Sequence, residues 1–426
     1  MSPELTRGEE AISLLDLSNQ QALPWYEDIR THDGSLVWDH KIQSWLVADF
    51  DRVVHVSKHE ELFKKAWIDT PGGTEFWGER SIQTLPAEQH WAFHRSLATS
   101  FREIVEDDEY TRRYLRPMIH SLIDEFAERG SVDFADEFAD RLPLMVIMDL
   151  FGLPTSLFDQ CKRYNEGMAA WLLAAQSGIA GSSDEGEDGG TAGEPERLRE
   201  AMAEARESLT FLRDMLMPVI EERGHNPGGD LVSKLWEAGR AIVDDWNEDD
   251  VLGNCNFLFG AGNRTTARAF ANAMVVAATH PELYERLRTD ESALEPFIEE
   301  VLRLYPSPQM GVRIATTDVD LGSAHIRAGE SVHVLRVAAN RDPERFACPA
   351  DVDLDRDAVR SHLTFGIGRR SCVGAPLARH ELLEGFRILL DRLPNIRLDP
   401  AHAQPEYVGL AQPVFSPVRL LFDPRS

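Results

Sequence analysis

A chain of 426 residues, 43% hydrophobic and 27% charged, has the make-up of a soluble globular protein and enough length to bury a large core. Its 44 lysines and arginines against 72 aspartates and glutamates leave a formal charge of −28, which repels nucleic acid and anionic membrane alike and disfavours DNA binding. The four cysteines, Cys161, Cys255, Cys348 and Cys372, have no CxxC spacing, so neither a disulfide framework nor a zinc site is indicated and any cysteine chemistry is that of a lone thiolate. The start, "MSPELTRGEEAISLLDL", carries charge before any apolar run. No window approaches the ~20 apolar residues of a membrane span, and the chain reads as cytoplasmic.

In chain order, residues 35–50, "SLVWDHKIQSWLVADF", alternate polar and apolar around a turn-like centre, as a hairpin at the edge of a small sheet does. Helical periodicity dominates the rest. It predicts helices over 108–129, 134–150, 155–175, 195–223, 247–279, 281–289, 291–304 and 376–393, with short strands near 312–321 and 331–335. The expected fold class is mainly α with a minor β part, and length alone allows one large domain or two. Residues 177–196, "SGIAGSSDEGEDGGTAGEPE", cannot bury enough apolar surface to offset their ordering entropy, so a mobile loop between two helices is expected there.

The helix over 247–279 has the clearest boundaries. Asn247 suits its N-cap, Glu248, Asp249 and Asp250 suit a first turn where the dipole favours acids, and Pro281 stops it. About 33 residues at ~1.5 Å each span roughly 50 Å, enough to cross a domain. Gly260 and Gly262 near its middle each cost about 1 kcal/mol against alanine, which points to something flat or bulky at the backbone, or else to a kink.

Residues 361–390, "SHLTFGIGRRSCVGAPLARHELLEGFRILL", carry the strongest chemical signal. A glycine-rich turn leads to Cys372, and Pro376 suits the first turn of the helix that follows. The helix N-terminus and the neighbouring Arg369 and Arg370 are expected to lower the thiol pKa, giving a thiolate fit for a metal or for nucleophilic attack. A dinucleotide loop fails because Ser371 stands where GxGxxG needs glycine. A cysteine nucleophile needs a base at close range, and the sequence names none.

At this point the residues become specific. "FGIGRRSCVGAPLAR", with Phe365, Gly366, Gly368, Arg370, Cys372, Gly374 and the run 377–379, resembles the haem-binding signature of the cytochrome P-450 superfamily. "EEVLR", with Glu300 and Arg303 meeting at i, i+3, resembles its structural ExxR. "AGNRTT" resembles its oxygen-activating helix, and "EQHWAFHR" its haem-facing HxxxR helix. The resemblance covers about residues 20–424, in the length and order of soluble bacterial members, and implies one domain over 1–426 with haem b between the long central helix and the cysteine-loop helix.

It further implies that Cys372 is the thiolate ligand of the haem iron. Arg313, Arg370 and His90 would face the haem propionates, with Phe365 and Ala261 also against the cofactor. His94 stands where the HxxxR motif has arginine, with Arg95 one residue on, so that contact would be weaker or pH-sensitive. Asp351 stands where relatives carry a base that closes a network with Glu300 and Arg303, and Arg356 is the candidate substitute. By family position Trp67, Phe76, Trp77, Phe257, Ala261, Met310, Val312, Val414 and Phe415 would make a roomy apolar substrate pocket, although any one of these aromatics is more often core than substrate contact.

The activity implied is that of a haem-thiolate monooxygenase, with O2 and electrons from a ferredoxin and ferredoxin reductase, acting on a small and largely apolar organic substrate. The hydroxyl of Thr265 would help protons reach the oxygen, with water held by Asn263; the plain alternative is a threonine bonded back to its own helix at i−4. A peroxide-driven or non-oxygenating haem-thiolate enzyme and a non-catalytic haem sensor are the rival readings. Arg369, Arg370, Arg379 and His380 are expected to form a basic patch for an acidic ferredoxin. Arg264 stands where most members carry a carboxylate tied to proton delivery, and a guanidinium does not release protons at working pH. It is expected to turn sideways into an acid on the helices flanking 177–196, rather than reach the pocket and clamp a substrate carboxylate.

Overall fold

Hydrophobic period divides the chain between helix and sheet much as the sequence suggests. A computed structural model describes residues 13–14, 19–32, 35–66, 73–179, 194–322, 324–409 and 412–424. The hairpin over 35–50 forms from Leu36–Asp39 and Ser44–Val47 and ends a five-stranded sheet, whose order continues through Ser331–Leu335 and Met310–Ala315 to Phe63–Lys65. The strand expected over 312–321 is in fact two. Met310–Ala315 joins this sheet, while Val319–Leu321 pairs with Ala324–Ile326 in a separate hairpin.

Helices form the bulk. Helix Glu248–Thr279 is capped by Asn247, whose side chain accepts the backbone N–H of Asp249 and Asp250 while Asp250 answers the Asn247 N–H, a reciprocal capping box. Around it lie Leu142–Leu150, Phe158–Ile179, Glu194–His225, Leu294–Leu304 and Ala375–Arg392, sharing one large apolar core. A second core lies under the sheet, built from Trp45, Phe63, Ile326 and Val332 among others. Helices Asn19–His32, Phe50–Lys58 and Leu231–Arg240 were not apparent from period. The last two are set by local caps, with Asp49 accepting the N–H of Arg52 and Asp230 that of Ser233. Of the mobile loop expected over 177–196, residues 177–179 and 194–196 instead belong to the flanking helices, which run to Ile179 and from Glu194; 180–193 lies outside the described residues.

One close crossing fixes the central helix against the wall of the site. A Cβ added at Gly253 would sit 2.5 Å from the carbonyl oxygen of Trp77 and 3.3 Å from Cα of Gly78, so backbone rather than a yielding side chain blocks it. Gly253→Ala is expected to lower stability by about 1–3 kcal/mol through overpacking, read as a lower urea midpoint with an unchanged m-value.

Candidate active site

The cysteine loop is a tight backbone construction. Gly366 and Gly368 take φ of 69° and 83°, a left-handed conformation that glycine adopts without Cβ strain, and the N–H of Cys372 returns to the carbonyl of Phe365 at 2.8 Å. Helix Ala375–Arg392 starts at once, with a proline in its first turn. Its first free N–H groups, from Gly374 and Ala375, donate to the Cys372 sulfur, and Arg379 and Arg336 are the cations in electrostatic range. Arg369 and Arg370, expected in that role, are engaged elsewhere. Arg369 lies over the Trp91 ring at 5.9 Å and Arg370 pairs with Glu60 at 2.8 Å.

Cys372 opens onto a cavity of about 340 Å³ that His94, Arg360, His362, Phe365 and Arg379 help to line. Protein nevertheless rings the sulfur, and this desolvation pushes its thiol above the ordinary cysteine value despite the two N–H groups and two cations. The expected lowering therefore does not arise from the chain alone. Among the described residues no group of three His, Cys, Asp or Glu side chains could hold an ion. A metal at Cys372 would take this one soft ligand and draw its others from a macrocycle, the donor set of haem-thiolate iron.

A nest of cations lies beside the sheet. Lys65 and Arg313 are cross-strand neighbours, and Arg370, Arg336 and, as the one acid among the described residues, Glu60 are within electrostatic reach. Burial, then Arg336, pushes Arg313 down to about 10, and its Nε has no partner. Burial, then Arg370 and Lys65, pushes His90 down to about 3, and its Nδ1 is likewise buried and unpartnered. Orphaned donors with too few anions fit a group carrying two carboxylates, as haem does. Lys65 and Arg336 gave no sign in the sequence. The only signal for Lys65 is strand alternation, which exposes Lys64 and turns Lys65 inward. His94 lies at the edge of the nest, within electrostatic reach of Lys65, Arg370 and Glu60, and its Nε2 meets the carbonyl of Ser371 at 2.6 Å, which braces the cysteine loop. Arg95 is exposed.

On the central helix Ala261 is exposed and a Cβ at Gly260 would meet nothing within 4 Å, whereas one at Gly262 would meet Ile147 at 3.3 Å. The expected approach of a flat group thus has room at Gly260 only. The Thr265 hydroxyl donates to the carbonyl of Ala261 at 2.9 Å, the i−4 bond weighed as its plain alternative. Asn263 is buried with its Oδ1 unpartnered. At ~100° per residue it points about 160° away from Thr265, which removes it as a water holder beside that hydroxyl. Arg264 makes no hydrogen bond or ion pair among the described residues. The carboxylate that feels its charge is Asp140, which precedes helix Leu142–Leu150 rather than lying on the helices flanking 177–196.

The apolar candidates divide. Phe76 is 1% exposed and belongs to the core. Trp77 stands edge-on to Phe257 at 6.0 Å, and Phe415 packs on Tyr305 and Tyr407 at 5.0 and 5.1 Å. Phe257, Met310, Val414 and Phe415 are half-buried and Val312 is buried. Trp67 lies outside the described residues.

Two carboxylates on helix Leu294–Leu304 anchor this site. Glu300 and Arg303 are both fully buried and bidentate, at 2.7 and 2.9 Å. Arg356 donates to Glu300 at 3.0 Å and so closes the network in place of a base at 351; Asp351 contributes only its backbone carbonyl, to Arg303 and Arg356. The preceding Glu299 reaches the other way. It accepts two bonds from Arg379 at 2.6 and 3.0 Å and sits 3.0 Å from His362 Nε2.

Comparison with known proteins decides what this arrangement belongs to. A family model described as Cytochrome P450 matches residues 195–400. The chain is 34% identical to mycinamicin IV hydroxylase/epoxidase of Micromonospora griseorubida over 364 residues, 84% of this chain and 83% of that one. It belongs to the cytochrome P450 family. This P450 is also 30% identical to cytochrome P450 monooxygenase PikC of Streptomyces venezuelae, over 87% of its own length and 81% of the relative's. The solved structure of CalO2 covers 95% of it with a TM-score of 0.78 at 25% identity, over 96% of that chain. The P450 fold, a haem cofactor held by cysteine thiolate and an oxidoreductase activity of the monooxygenase kind come with that membership. Among the described residues no helix is long and apolar enough to cross a membrane.

The P450's acid stability should report the Glu299 anchor. Burial alone would raise this carboxyl, but hydrogen bonds from His362 and Arg379 outweigh it and hold it at about 2 against an ordinary 4.5. A depressed carboxylate stabilises the fold above its unfolded pKa and loses that contribution as pH falls from 4.5 toward 2. Glu299→Gln is expected to cost on the order of 3 kcal/mol at neutral pH. Denaturant titrations across that acid window should show the variant lacking the corresponding part of the wild-type slope.

Proposed function

We propose that this P450 hydroxylates or epoxidises a small, largely apolar organic molecule, using O2 and electrons from a ferredoxin and its reductase, with Cys372 as the axial ligand of its haem. The observation that carries the reading is the Cys372 sulfur, held by the N–H groups of Gly374 and Ala375 while orphaned Arg313 and His90 donors wait in the same molecule. When bound, the haem supplies the oxygen chemistry, and thiolate ligation favours O–O cleavage.

The chain's own residues do the rest. Gly374 and Ala375 share the negative charge of the sulfur through their N–H groups. Arg313, Lys65, Arg370 and His90 supply donors for the propionates. The Thr265 hydroxyl, while donating to Ala261, can only accept from a water or substrate donor. Rotated off that carbonyl, it becomes a donor itself and passes on a proton. Phe257, Met310, Val414 and Phe415 offer apolar, half-buried surface to a substrate. Relatives named as hydroxylases and epoxidases support these two reactions.

The dithionite-reduced CO complex is expected to show the far-shifted Soret band of thiolate ligation, and Cys372→Ser to abolish it. A band that survives the substitution refutes the ligand assignment. Product formation with NAD(P)H, ferredoxin and reductase supports the monooxygenase cycle; turnover with peroxide alone would replace it with the peroxide-driven reading.

Docking of the ferredoxin rests on fewer cations than the loop sequence suggests. Arg370 is paired with Glu60 and Arg379 with Glu299, and His380 shares a hydrogen bond with Thr111 at 2.8 Å. Arg369, over the 41% exposed Trp91, and Arg95 remain to meet an acidic partner. Arg369→Glu with Arg95→Glu is expected to slow first-electron transfer about tenfold at low salt and to flatten its dependence on ionic strength. A wild-type rate that does not change with salt would remove this surface from the docking site.

A further inference from the structure

The central helix carries two arginines that no described residue pairs. Arg264 and Arg268 stand four residues apart on helix Glu248–Thr279, so they lie one above the other on one side of it. Neither forms a hydrogen bond or an ion pair among the described residues. The Nε of Arg268 is buried without a partner, and burial followed by the charge of Arg264 pushes its pKa down to about 10. Asp140 is the carboxylate in electrostatic range of Arg268, and Lys162 and a second acid, Asp136, act on it as well, so three cations face two acids. Tyr407, also within range of Arg268, has a buried hydroxyl with no partner. A half-buried guanidinium left in that state is waiting for an anion.

Helix geometry says where that anion would sit. At ~100° per residue, Arg268 lies within about 20° of Ala261 and about 60° of Thr265. This is the side on which Ala261 is exposed. One turn further along the same stripe, Asn272 accepts the backbone N–H of Phe415 at 2.9 Å. Arg268 therefore lies along the helix between Thr265 and Asn272, the residue that holds Phe415. The propionate nest cannot account for it, because Lys65 and Arg313 lie on the sheet and are cross-strand neighbours there.

We propose that Arg268, backed by Arg264 and the Tyr407 hydroxyl, binds the anionic end of the substrate, and that the substrate class is an organic acid with an apolar body. The planar guanidinium takes a carboxylate through two parallel N–H bonds. The half-buried Phe257, Met310, Val414 and Phe415 take the rest. This reading deepens the monooxygenase proposal and rests on it, and it reverses the sequence-based preference for a purely structural role of Arg264.

The test is a titration of the ferric protein, followed by its spin-state spectrum, with medium-chain carboxylic acids and the matching primary alcohols. Wild type is expected to bind each acid about ten- to a hundredfold more tightly than its alcohol, the range for a buried charge-assisted hydrogen bond. Arg268→Met should erase that preference while leaving alcohol affinity within about twofold. Arg268→Lys, which keeps the charge but not the fork, should restore part of it and serves equally if the methionine variant does not fold. Wild type with no preference for acids, or variants that keep the full preference, would overturn the proposal. The reduced CO spectrum of every protein is recorded alongside. A wild type lacking the thiolate band sinks the monooxygenase reading, whereas an intact band with no acid preference sinks only the inference about Arg268.

Discussion

Two adjacent buried glutamates on one helix, reaching in opposite directions, hold the cysteine loop in place. Glu300 grips Arg303 and Arg356 and accepts the backbone N–H of Asp353 at 2.9 Å, which ties down the segment leading into the loop. Glu299 grips His362 at the loop's start and Arg379 on the helix that follows it. Stripping water from a carboxylate costs several kcal/mol unless cations and N–H groups replace it, and removing one partner of such a pair is far more damaging than the pair is stabilising. Each glutamate therefore acts less as a source of stability than as a constraint. The loop cannot move without stranding a buried charge, and the position of the Cys372 sulfur follows from that.

Thr364 and Asn340 extend the same constraint into the backbone. The Thr364 hydroxyl donates to the carbonyl of Leu302 at 2.6 Å and accepts from the Asn340 amide at 3.0 Å, while Asn340 Oδ1 takes the N–H of Leu363 at 2.7 Å. Helix Leu294–Leu304, the stretch around 340 and the loop before Cys372 thus form one hydrogen-bonded body. His94 fixes its far side through the Ser371 carbonyl. An imidazole at that place holds the loop backbone.

Much of this was legible locally. The capping box at Asn247, the i, i+3 pairing of Glu300 with Arg303 and the glycine turns before Cys372 each need only a few neighbouring residues, and each appears where the sequence placed it. What stayed hidden depends on partners remote in sequence. Arg370 finds Glu60 across 310 residues and Arg379 finds Glu299 across 80, so a run that reads as an exposed basic patch is half consumed by ion pairs. Facing is the other hidden variable. Asn263 and Thr265 sit two residues apart in one motif, yet two steps of ~100° send them to opposite sides of the helix; Arg268, outside the motif, returns to the side of Ala261. Lys65 shows the same effect in a strand three residues long, too short for alternation to announce itself.

Cations in a chain with a charge of −28 are rarely left alone, because a carboxylate is usually within reach of a flexible side chain. The fate of its arginines follows from this. Near the surface of the cysteine loop Arg370 and Arg379 found glutamates, while Arg369 lies over Trp91. Arg313, on a sheet beside Lys65, and Arg268, four residues from Arg264 on the central helix, make no ion pair among the described residues. Placing more cations than acids at these two places leaves desolvated, mutually repelling charges, and burial with the neighbouring cations pushes both arginines down. An anion bound from outside would offset that cost. Where an acidic protein fails to neutralise its own cations is, for this reason, a better guide to its ligands than where its cations are most numerous.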